Sequence, residues 1–323
     1  MRIQGTICRA VTPGLCVGLL LAVCLPASAE VIDFASDRWL KYNGEVVEHL
    51  GRTCLNGSAY LPNIQFTNGI IEYDVTVDGS RSYPGITFRA VSQLEYEEFY
   101  IRPHVSNRPD AMQYTPVFSG VSGWQLYNGD GFNAALEIPR DEWIHIKLEI
   151  LDSQARVFVN DSEEPALVVP ELKQTPVAGA IGVKSQRNGS VYFSNFQVVK
   201  TDDLEFEPPA LPVPPRGLIT EWEISQPFKA VAVSRRYYPD QELLAEIQWQ
   251  TAATEPNGLL DFCRHVRRNA TSGPDVIFAR IHLEAERDEM RQFSFGYSDV
   301  ATVFLNGEWM SYWNNRRLSS AVQ

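Results

Sequence analysis

Cysteine, methionine and basic residues are scarce in this chain. Its 323 residues include 5 Cys, 4 Met and 28 Lys plus Arg against 40 Asp plus Glu, which gives a formal net charge of −12 at pH 7. Nucleic acids and anionic membranes require a basic surface, so this balance excludes nucleic acid as an expected partner. The hydrophobic content of 44% is typical of a globular protein, and the length allows one large or two ordinary domains.

Short catalytic and phosphate-binding motifs are also missing. The sequence contains no G-x-S-x-G nucleophile elbow, no H-E-x-x-H zinc motif, no P-loop and no G-x-G-x-x-G pattern. The C-x-x-C spacing that metal and redox sites use is absent as well. No enzyme class therefore follows from a motif.

The amino end has the composition of an export signal. Two arginines precede an apolar run over residues 14–25, and the small residues Ala27-Ser28-Ala29 follow it. This order predicts a secretory signal peptide over residues 1–29, because the run is shorter than the ~20 apolar residues that span a bilayer. We expect a secreted or periplasmic protein with no transmembrane segment after cleavage. Lipid attachment at Cys24 is an alternative that the bulky Val23 before it disfavours.

Cleavage of this segment would leave two cysteines, Cys54 and Cys263. Two thiols do not form the disulfide framework of a small secreted domain. One bridge and two separate thiols are both compatible with the sequence.

A proline-rich stretch divides the chain. Residues 201–217 read TDDLEFEPPALPVPPRG, with five prolines after an acidic run. Proline cannot donate to a sheet ladder and favours an extended, semi-rigid connector. We therefore predict a linker here, a first domain over residues 30–200 and a second domain over residues 218–323. A long loop within one domain is the alternative.

Segments rich in Val, Ile, Phe and Tyr alternate with polar residues on both sides of this linker. Seven precede it: GIIEYDVTV, YPGITFRAV, EEFYIRPHV, WIHIKLEIL, ARVFVND, GAIGVKS and SVYFSNFQVV. Three follow it: DVIFARIHLEAE, RQFSFGYS and ATVFLNGEWM, the last with Asn306-Gly307 as a hairpin turn. Period-two alternation indicates antiparallel strands, and helices are expected only over residues 240–247 and 257–266. The predicted fold class is all-β, with two β-sandwich (jelly-roll) domains.

The order of these segments carries a family resemblance. Residues 39–199 resemble the concanavalin A-like jelly rolls, in particular laminin G-like domains and the bacterial domains named after 3-keto-disaccharide hydrolases. The segments that carry it are residues 69–75, 85–89, 143–147, 156–160, 179–182 and 191–196. Residues 218–323 resemble a galactose-binding-like β-sandwich through residues 295–299 and 303–307. That pattern stops early, so the second unit is expected to be incomplete or to be supported by its neighbour.

Alternation also assigns side chains to the two faces of each strand. Over residues 71–77 the odd-numbered side chains are predicted to enter the core, which leaves Glu72 and Asp74 on the other face. The same reasoning turns Glu98, Tyr100 and Arg102 away from the core. If these strands lie in the concave sheet, as the resemblance implies, one hollow receives all of these polar groups.

Such a face suits a carbohydrate, because flat rings stack on sugars and planar polar groups pair with hydroxyls. Residues 104–133, the longest stretch without a clear strand pattern, are predicted to form a recognition loop beside it. The alternative is a solvated face with ordinary surface ion pairs. The predicted ligand-binding residues are Arg89, Tyr100, Arg102, His104, Gln113, Tyr114 and Trp124.

Catalysis on the same face would need paired carboxyl groups. Retaining glycosidases hold two of them about 5–5.5 Å apart. Related glucanases on this fold present acids at alternate positions of one strand, but Thr76 stands where the last would be expected. Glu98 would then have to supply the missing group from a neighbouring strand. The candidate acid/base residues are therefore Glu72, Asp74 and Glu98.

No cofactor is expected apart from a structural calcium ion. Related sandwiches often hold calcium at the rim, and Asp33 and Asn195 are the candidate oxygen donors here. We interpret the sequence as an exported carbohydrate-binding protein that recognises a glycan or a glycosylated surface on the first sandwich. The alternatives are a glycoside hydrolase of the 3-keto-disaccharide type and a structural surface module that binds proteins through an apolar patch.

Overall fold

The computed structural model describes residues 29–185, 190–209, 213–234, 236–268 and 274–314. The predicted signal peptide lies outside the described residues, apart from Ala29. Within the described part of the chain, no helix has the length and apolar character that crossing a membrane requires.

Fourteen strands form the first part of the chain, and all of their pairings are antiparallel. They are β1 (Glu30–Val31), β2 (Leu40–His49), β3 (Arg52–Phe66), β4 (Gly69–Val77), β5 (Gly85–Ser92), β6 (Glu95–Ile101), β7 (Met112–Phe118), β8 (Val121–Ser122), β9 (Asn133–Ala134), β10 (Ile144–Leu151), β11 (Gln154–Val159), β12 (Leu167–Val169), β13 (Gly179–Lys184) and β14 (Val191–Lys200). A 3₁₀ turn, Pro103–Val105, follows β6.

The strand order is β12-β11-β10-β4-β14-β3-β13-β5-β6-β7-β8. The long strand β3 links two layers: its residues 55–56 pair with β14 and its residues 59–66 pair with β13. We call the layer of β12, β11, β10, β4 and β14 the first sheet, and the layer of β13, β5, β6, β7 and β8 the second sheet. The predicted antiparallel sandwich is thereby confirmed.

One apolar core lies between these sheets. Ile71, Tyr73 and Val75 of the first sheet belong to the same buried cluster as Phe88 and Phe99 of the second sheet. Each such side chain contributes about 1.5–3 kcal/mol by leaving water. The predicted inward positions of residues 71–77 are confirmed, and the outward side chains of β4 and β6 consequently lie on opposite outer faces of the sandwich.

All seven segments predicted before the linker form strands, but the prediction for residues 104–133 is wrong in part. Met112–Phe118 forms strand β7, and every residue in it is buried. Burial on both faces removes the alternation of polar and apolar residues that reveals a strand covered on one side only. Strands β2 and β3 also lie outside the predicted strand segments.

The described residues between 221 and 314 contain three small antiparallel sheets. They are built from β15 (Glu221–Ile224), β16 (Phe228–Lys229), β17 (Gln250–Ala253), β18 (Asp275–Val276), β19 (Ala279–Arg280), β20 (Val300–Leu305) and β21 (Glu308–Asn314). Asn306 and Gly307 join β20 to β21 with φ of 52° and 83°, as a two-residue hairpin turn requires, so that turn is confirmed. Residues 291–298 form no strand, contrary to the prediction.

Two short helices lie where the sequence placed them. They are α1 (Gln241–Glu246) and α2 (Phe262–His265). Asp240 caps α1 by accepting a hydrogen bond from the Leu243 N–H at 2.9 Å, and Asp261 caps α2 in the same way.

Candidate functional site

Three polar side chains of the second sheet form the floor of a site on its outer face. Tyr100 of β6 and Gln113 of β7 are cross-strand partners, and Arg102 follows on the same face. The Tyr100 hydroxyl donates to Gln113 Oε1 at 2.8 Å, and Arg102 Nη2 donates to both of these residues. Arg102 Nη1 binds the Asp110 carboxylate at 2.7 Å. All three side chains are buried, so this polar floor is held rigidly.

Partly exposed aromatic side chains surround the polar floor. The Tyr83 ring lies 5.9 Å from Tyr100 and 5.4 Å from the His104 ring, both in edge-to-face contact. The Trp124 ring lies 5.7 Å from the Arg102 guanidinium. We call Tyr83, His104 and Trp124 the aromatic rim. Burial, with the charges of Arg81 and Arg102 beside it, lowers the pKa of His104, which favours a neutral imidazole.

Three buried polar atoms near the polar floor have no hydrogen-bond partner among the described residues. They are Glu98 Oε2, Arg102 Nε and His104 Nδ1. The other oxygen of Glu98 binds Lys184 of β13. Glu98 Oε2 accepts, Arg102 Nε donates and His104 Nδ1 does either according to its tautomer, which is the chemistry that a hydroxyl group satisfies by both donating and accepting.

Five of the seven predicted ligand-binding residues are brought together here, and two are not. Arg89 has φ of 51° in an irregular part of β5, so its side chain turns away from the outer face. Its guanidinium is buried and donates to the Thr67 carbonyl at 2.7 Å. Tyr114 points into the core, because the even-numbered side chains of β7 face inward. Arg89 and Tyr114 therefore do not reach this face, contrary to their prediction as ligand-binding residues there.

The predicted acid/base residues are divided between the two outer faces. Glu72 and Asp74 lie on β4 in the first sheet, whereas Glu98 lies on β6 in the second. The core separates them, so the proposed pairing of Glu98 with Glu72 is wrong. Between the carboxyl groups of Glu72 and Asp74 stands the imidazole of His145, a residue that the sequence pattern marked only as part of a strand.

His145 forms a hydrogen bond with Asp74 and an ion-pair contact with Glu72. Its Nδ1 lies 2.7 Å from Asp74 Oδ1, and its Nε2 lies 3.2 Å from Glu72 Oε2. The hydrogen bond to Asp74 raises the pKa of His145 above its ordinary value, against the opposing effect of burial. Burial acts to raise the pKa of Asp74, but hydrogen bonds from His145 and Asn195 and the charge of Arg52 outweigh it and lower that pKa.

Both candidate calcium ligands, Asp33 and Asn195, already form hydrogen bonds within the chain. Asp33 Oδ1 accepts the Ala35 N–H at 2.7 Å, and Asn195 Nδ2 donates to Asp74 Oδ2 at 2.6 Å. Among the described residues, no group of three or more His, Cys, Asp or Glu side chains is arranged to hold a metal ion. Calcium binding stays a prediction. The thiols of Cys54 and Cys263 are both free, so these two cysteines form no disulfide bridge with each other.

No protein-family model and no curated protein sequence matches this chain. Among solved structures, the chain is similar to the carbohydrate-binding module CBM66 from Bacillus subtilis, with 13% identity, a TM-score of 0.39 and coverage of 50% of this chain and 96% of that one. It is similar to the Caenorhabditis elegans galectin LEC-6, with 13% identity, a TM-score of 0.34 and coverage of 50% and 95%. It is also similar to a β-1,3-1,4-glucanase from a mouse hindgut metagenome, with 10% identity, a TM-score of 0.38 and coverage of 55% of this chain and 99% of that one.

The strand order of the chain itself establishes the fold class. Two antiparallel sheets enclose one core, so the predicted all-β sandwich is confirmed for the first part of the chain. The galactose-binding-like fold of residues 218–323 stays a prediction.

Proposed function

We propose that this protein is an exported glycan-binding protein whose site is the outer face of the second sheet. The observation that carries the proposal is the aromatic rim around the polar floor. Partly exposed rings offer flat apolar surfaces to the C–H faces of a sugar, and the ordered guanidinium and amide beneath fix its orientation. Export rests on the predicted signal peptide.

Preorganisation supports a binding role. Arg102 is held by Asp110, Tyr100 and Gln113, so the polar floor loses little conformational entropy when a ligand arrives. Gln113 Nε2 in turn donates to the carbonyl of Tyr127 at 2.6 Å and to that of Trp124 at 2.8 Å, which fixes the loop that carries the Trp124 ring. Glu98 Oε2, Arg102 Nε and His104 Nδ1 could each pair with a hydroxyl group.

The same geometry disfavours the hydrolase alternative. A retaining glycosidase needs two carboxyl groups facing each other across the scissile bond. Here an imidazole separates Glu72 from Asp74, and Asp74 already binds Arg52 and Asn195. Glu98 lies on the other outer face and is paired with Lys184. Binding without bond cleavage therefore fits these residues better.

A glycan array followed by calorimetric titration with the best-bound glycan tests the proposal. We expect Trp124→Ala to weaken binding about tenfold, the equivalent of roughly 1.4 kcal/mol, because a stacking ring is removed. Trp309→Ala is the matched control, since Trp309 is 52% exposed on β21, belongs to neither the polar floor nor the aromatic rim, and should leave the affinity unchanged. An array with no bound glycan, or an unchanged affinity for Trp124→Ala, would refute the proposal.

A further inference from the structure

Trp124, a residue of the aromatic rim, lies in a tight turn that Tyr127 closes. The Tyr127 N–H donates to the Gly123 carbonyl at 2.9 Å, and the Leu126 N–H donates to the same oxygen at 2.8 Å. A Cβ atom at Gly123 would lie 2.5 Å from the Tyr127 ring, so this ring packs directly on the start of the turn. We call residues 123–127 the Trp124 turn. The position of Tyr127 therefore limits where the Trp124 ring can lie.

Gln113 connects this turn to the polar floor. Its Nε2 donates to the Trp124 carbonyl at 2.8 Å and to the Tyr127 carbonyl at 2.6 Å. Its Oε1 accepts from the Tyr100 hydroxyl and from Arg102. Because one amide group serves both sets of contacts, the polar floor and the Trp124 turn form a single hydrogen-bonded network.

The Tyr127 hydroxyl contacts two buried acids from a later part of the chain. It lies 2.8 Å from Glu255 Oε1 and 3.3 Å from Asp261 Oδ2. Glu255 also pairs with Lys173 of the sandwich and with Arg264. The Tyr127 side chain is completely buried, so its hydroxyl depends on these acceptors rather than on water. We call this group the junction cluster, and its members are Tyr127, Lys173, Glu255, Asp261 and Arg264.

We propose that residues 255–264 regulate the glycan site by holding the Trp124 ring in its binding position. This inference rests on the proposed function of the second sheet. When the segment is docked, it supplies acceptors for the Tyr127 hydroxyl. Without the segment, a buried hydroxyl would lack a partner, which is unfavourable enough for the side chain to turn toward water. The Trp124 turn would then change with it.

The charges of the junction cluster favour two discrete states, docked and undocked. Lys173 and Glu255 are both buried, and Lys173 would lose one of its two carboxylate partners if the segment moved away. Removing one partner of a buried ion pair is strongly unfavourable, because the remaining charge stays out of water. Partial separation is therefore disfavoured, as a conformational switch requires.

The same segment also contacts the end of β7, the strand that carries Gln113. The Arg264 guanidinium lies 5.2 Å from the centroid of the Phe118 ring. The Ser119 hydroxyl donates to the Cys263 carbonyl at 3.2 Å. Residues 255–264 thus contact the chain both before and after Trp124, so their docking fixes the stretch that carries its ring.

Coupling of this kind is reciprocal. If docking of residues 255–264 raises the affinity for a glycan by some factor, glycan binding must stabilise the docked state by the same factor. A bound glycan should therefore slow amide hydrogen exchange over residues 255–264, which belong to neither the polar floor nor the aromatic rim. A contact that serves stability alone would give no such protection.

The test uses the full chain and the best-bound glycan from the array. We expect Glu255→Gln to speed amide hydrogen exchange over residues 123–128 at least fivefold in the ligand-free protein, because Lys173 and Arg264 lose their shared carboxylate. The same variant should weaken glycan binding at least threefold in calorimetric titration. Tyr127→Phe, a milder change, should weaken it about twofold.

Glu223→Gln is the matched control for Glu255→Gln. Glu223 pairs with Arg280 at 2.8 Å, outside the junction cluster. The substitution is therefore the same in kind and breaks an ion pair, but it should alter neither the exchange over residues 123–128 nor the affinity.

A double-mutant cycle separates control of the Trp124 ring from a general loss of stability. In the Trp124→Ala background, Glu255→Gln should weaken glycan binding no further, because the ring through which it acts is gone. An equal loss with and without the Trp124 ring would overturn the inference.

Two further results would contradict the inference and leave the proposed function intact. One is a glycan affinity that is unchanged in both Glu255→Gln and Tyr127→Phe. The other is unchanged exchange over residues 255–264 when the protein is saturated with glycan. An array with no bound glycan would instead refute the proposed function, and this regulation with it.

Discussion

Glu97 is a carboxyl group placed on the inward side of β6, where it is completely buried. The Tyr114 hydroxyl donates to its Oε2 at 2.7 Å, and the Gln174 N–H donates to its Oε1 at 2.9 Å. Burial raises the pKa of Glu97 to about 7, although both hydrogen bonds and the charge of Arg89 act to lower it. A neutral Glu97 is therefore favoured in the folded protein at a pH where the unfolded chain ionises it.

This shift predicts a pH-dependent stability. Between pH 4.5 and 7 the folded protein binds more protons at Glu97 than the unfolded chain, so stability falls as the pH rises through this window. The full contribution is present below pH 4.5, and about 3 kcal/mol is lost by pH 8. We expect Glu97→Gln to flatten this part of the profile, as measured by urea unfolding from pH 4 to pH 8. An unaltered slope in the variant would show that other groups cause it.

At the scale of the element, the pairing of β5 with β6 supports the polar floor. Gly85 of β5 lies opposite Tyr100 of β6. A Cβ atom at Gly85 would lie 2.0 Å from the Phe99 carbonyl oxygen and 2.7 Å from the Tyr100 Cβ. The two strands can approach this closely only because glycine has no side chain. The position of Tyr100 in the polar floor thus depends on Gly85, which is not part of that floor.

Gly85→Ala should consequently displace β6. We expect a loss of about 2–4 kcal/mol of stability, since backbone rather than a flexible side chain must move, and weaker glycan binding together with it. Thermal unfolding and the titration described above measure the two effects. Gly296→Ala is the control, because nothing lies within 4 Å of its Cβ position, and it should change stability by less than about 0.5 kcal/mol.

At the scale of the whole molecule, the two parts of the chain meet through a buried polar contact. The Tyr127 hydroxyl, on the loop of the first sandwich, lies 2.8 Å from Glu255 Oε1 and 3.3 Å from Asp261 Oδ2. Lys173 and Arg264 bind Glu255 at 2.7 and 2.9 Å. Burial raises the pKa of Asp261, because removal from water disfavours the charged form of its carboxyl group. Residues 255–264 therefore pack on the sandwich.

Tyr127→Phe tests this contact. Removal of the hydroxyl leaves two buried carboxyl groups with one donor fewer, which should cost about 1–3 kcal/mol. We expect faster amide hydrogen exchange over residues 255–264 and a lower thermal midpoint, with the sandwich strands unaffected. Tyr312→Phe on the exposed hairpin provides the comparison and should alter neither quantity. Unchanged exchange over residues 255–264 in Tyr127→Phe would mean that the hydroxyl does not hold the two parts together.

Much of the fold and part of the candidate site followed from local patterns. Alternation located β4 and β10 and the inward positions of residues 71–77, because a strand with one buried face repeats every two residues. It placed Tyr100 and Arg102 correctly on an outer face. It missed β7, whose two faces are both buried, and it misplaced Arg89, whose positive φ rotates the side chain out of the alternation.

The sequence by itself determined the strands, their parity and the residue types available for recognition, since these depend on neighbours along the chain. Only the tertiary structure decided which strands share a sheet: it separated Glu98 from Glu72 by the thickness of the core and brought His145 between Glu72 and Asp74. The reason is that the strand order joins residues far apart in sequence, such as Asn195 and Asp74, through hydrogen bonds between strands. A repeat of two residues carries no information about those partners.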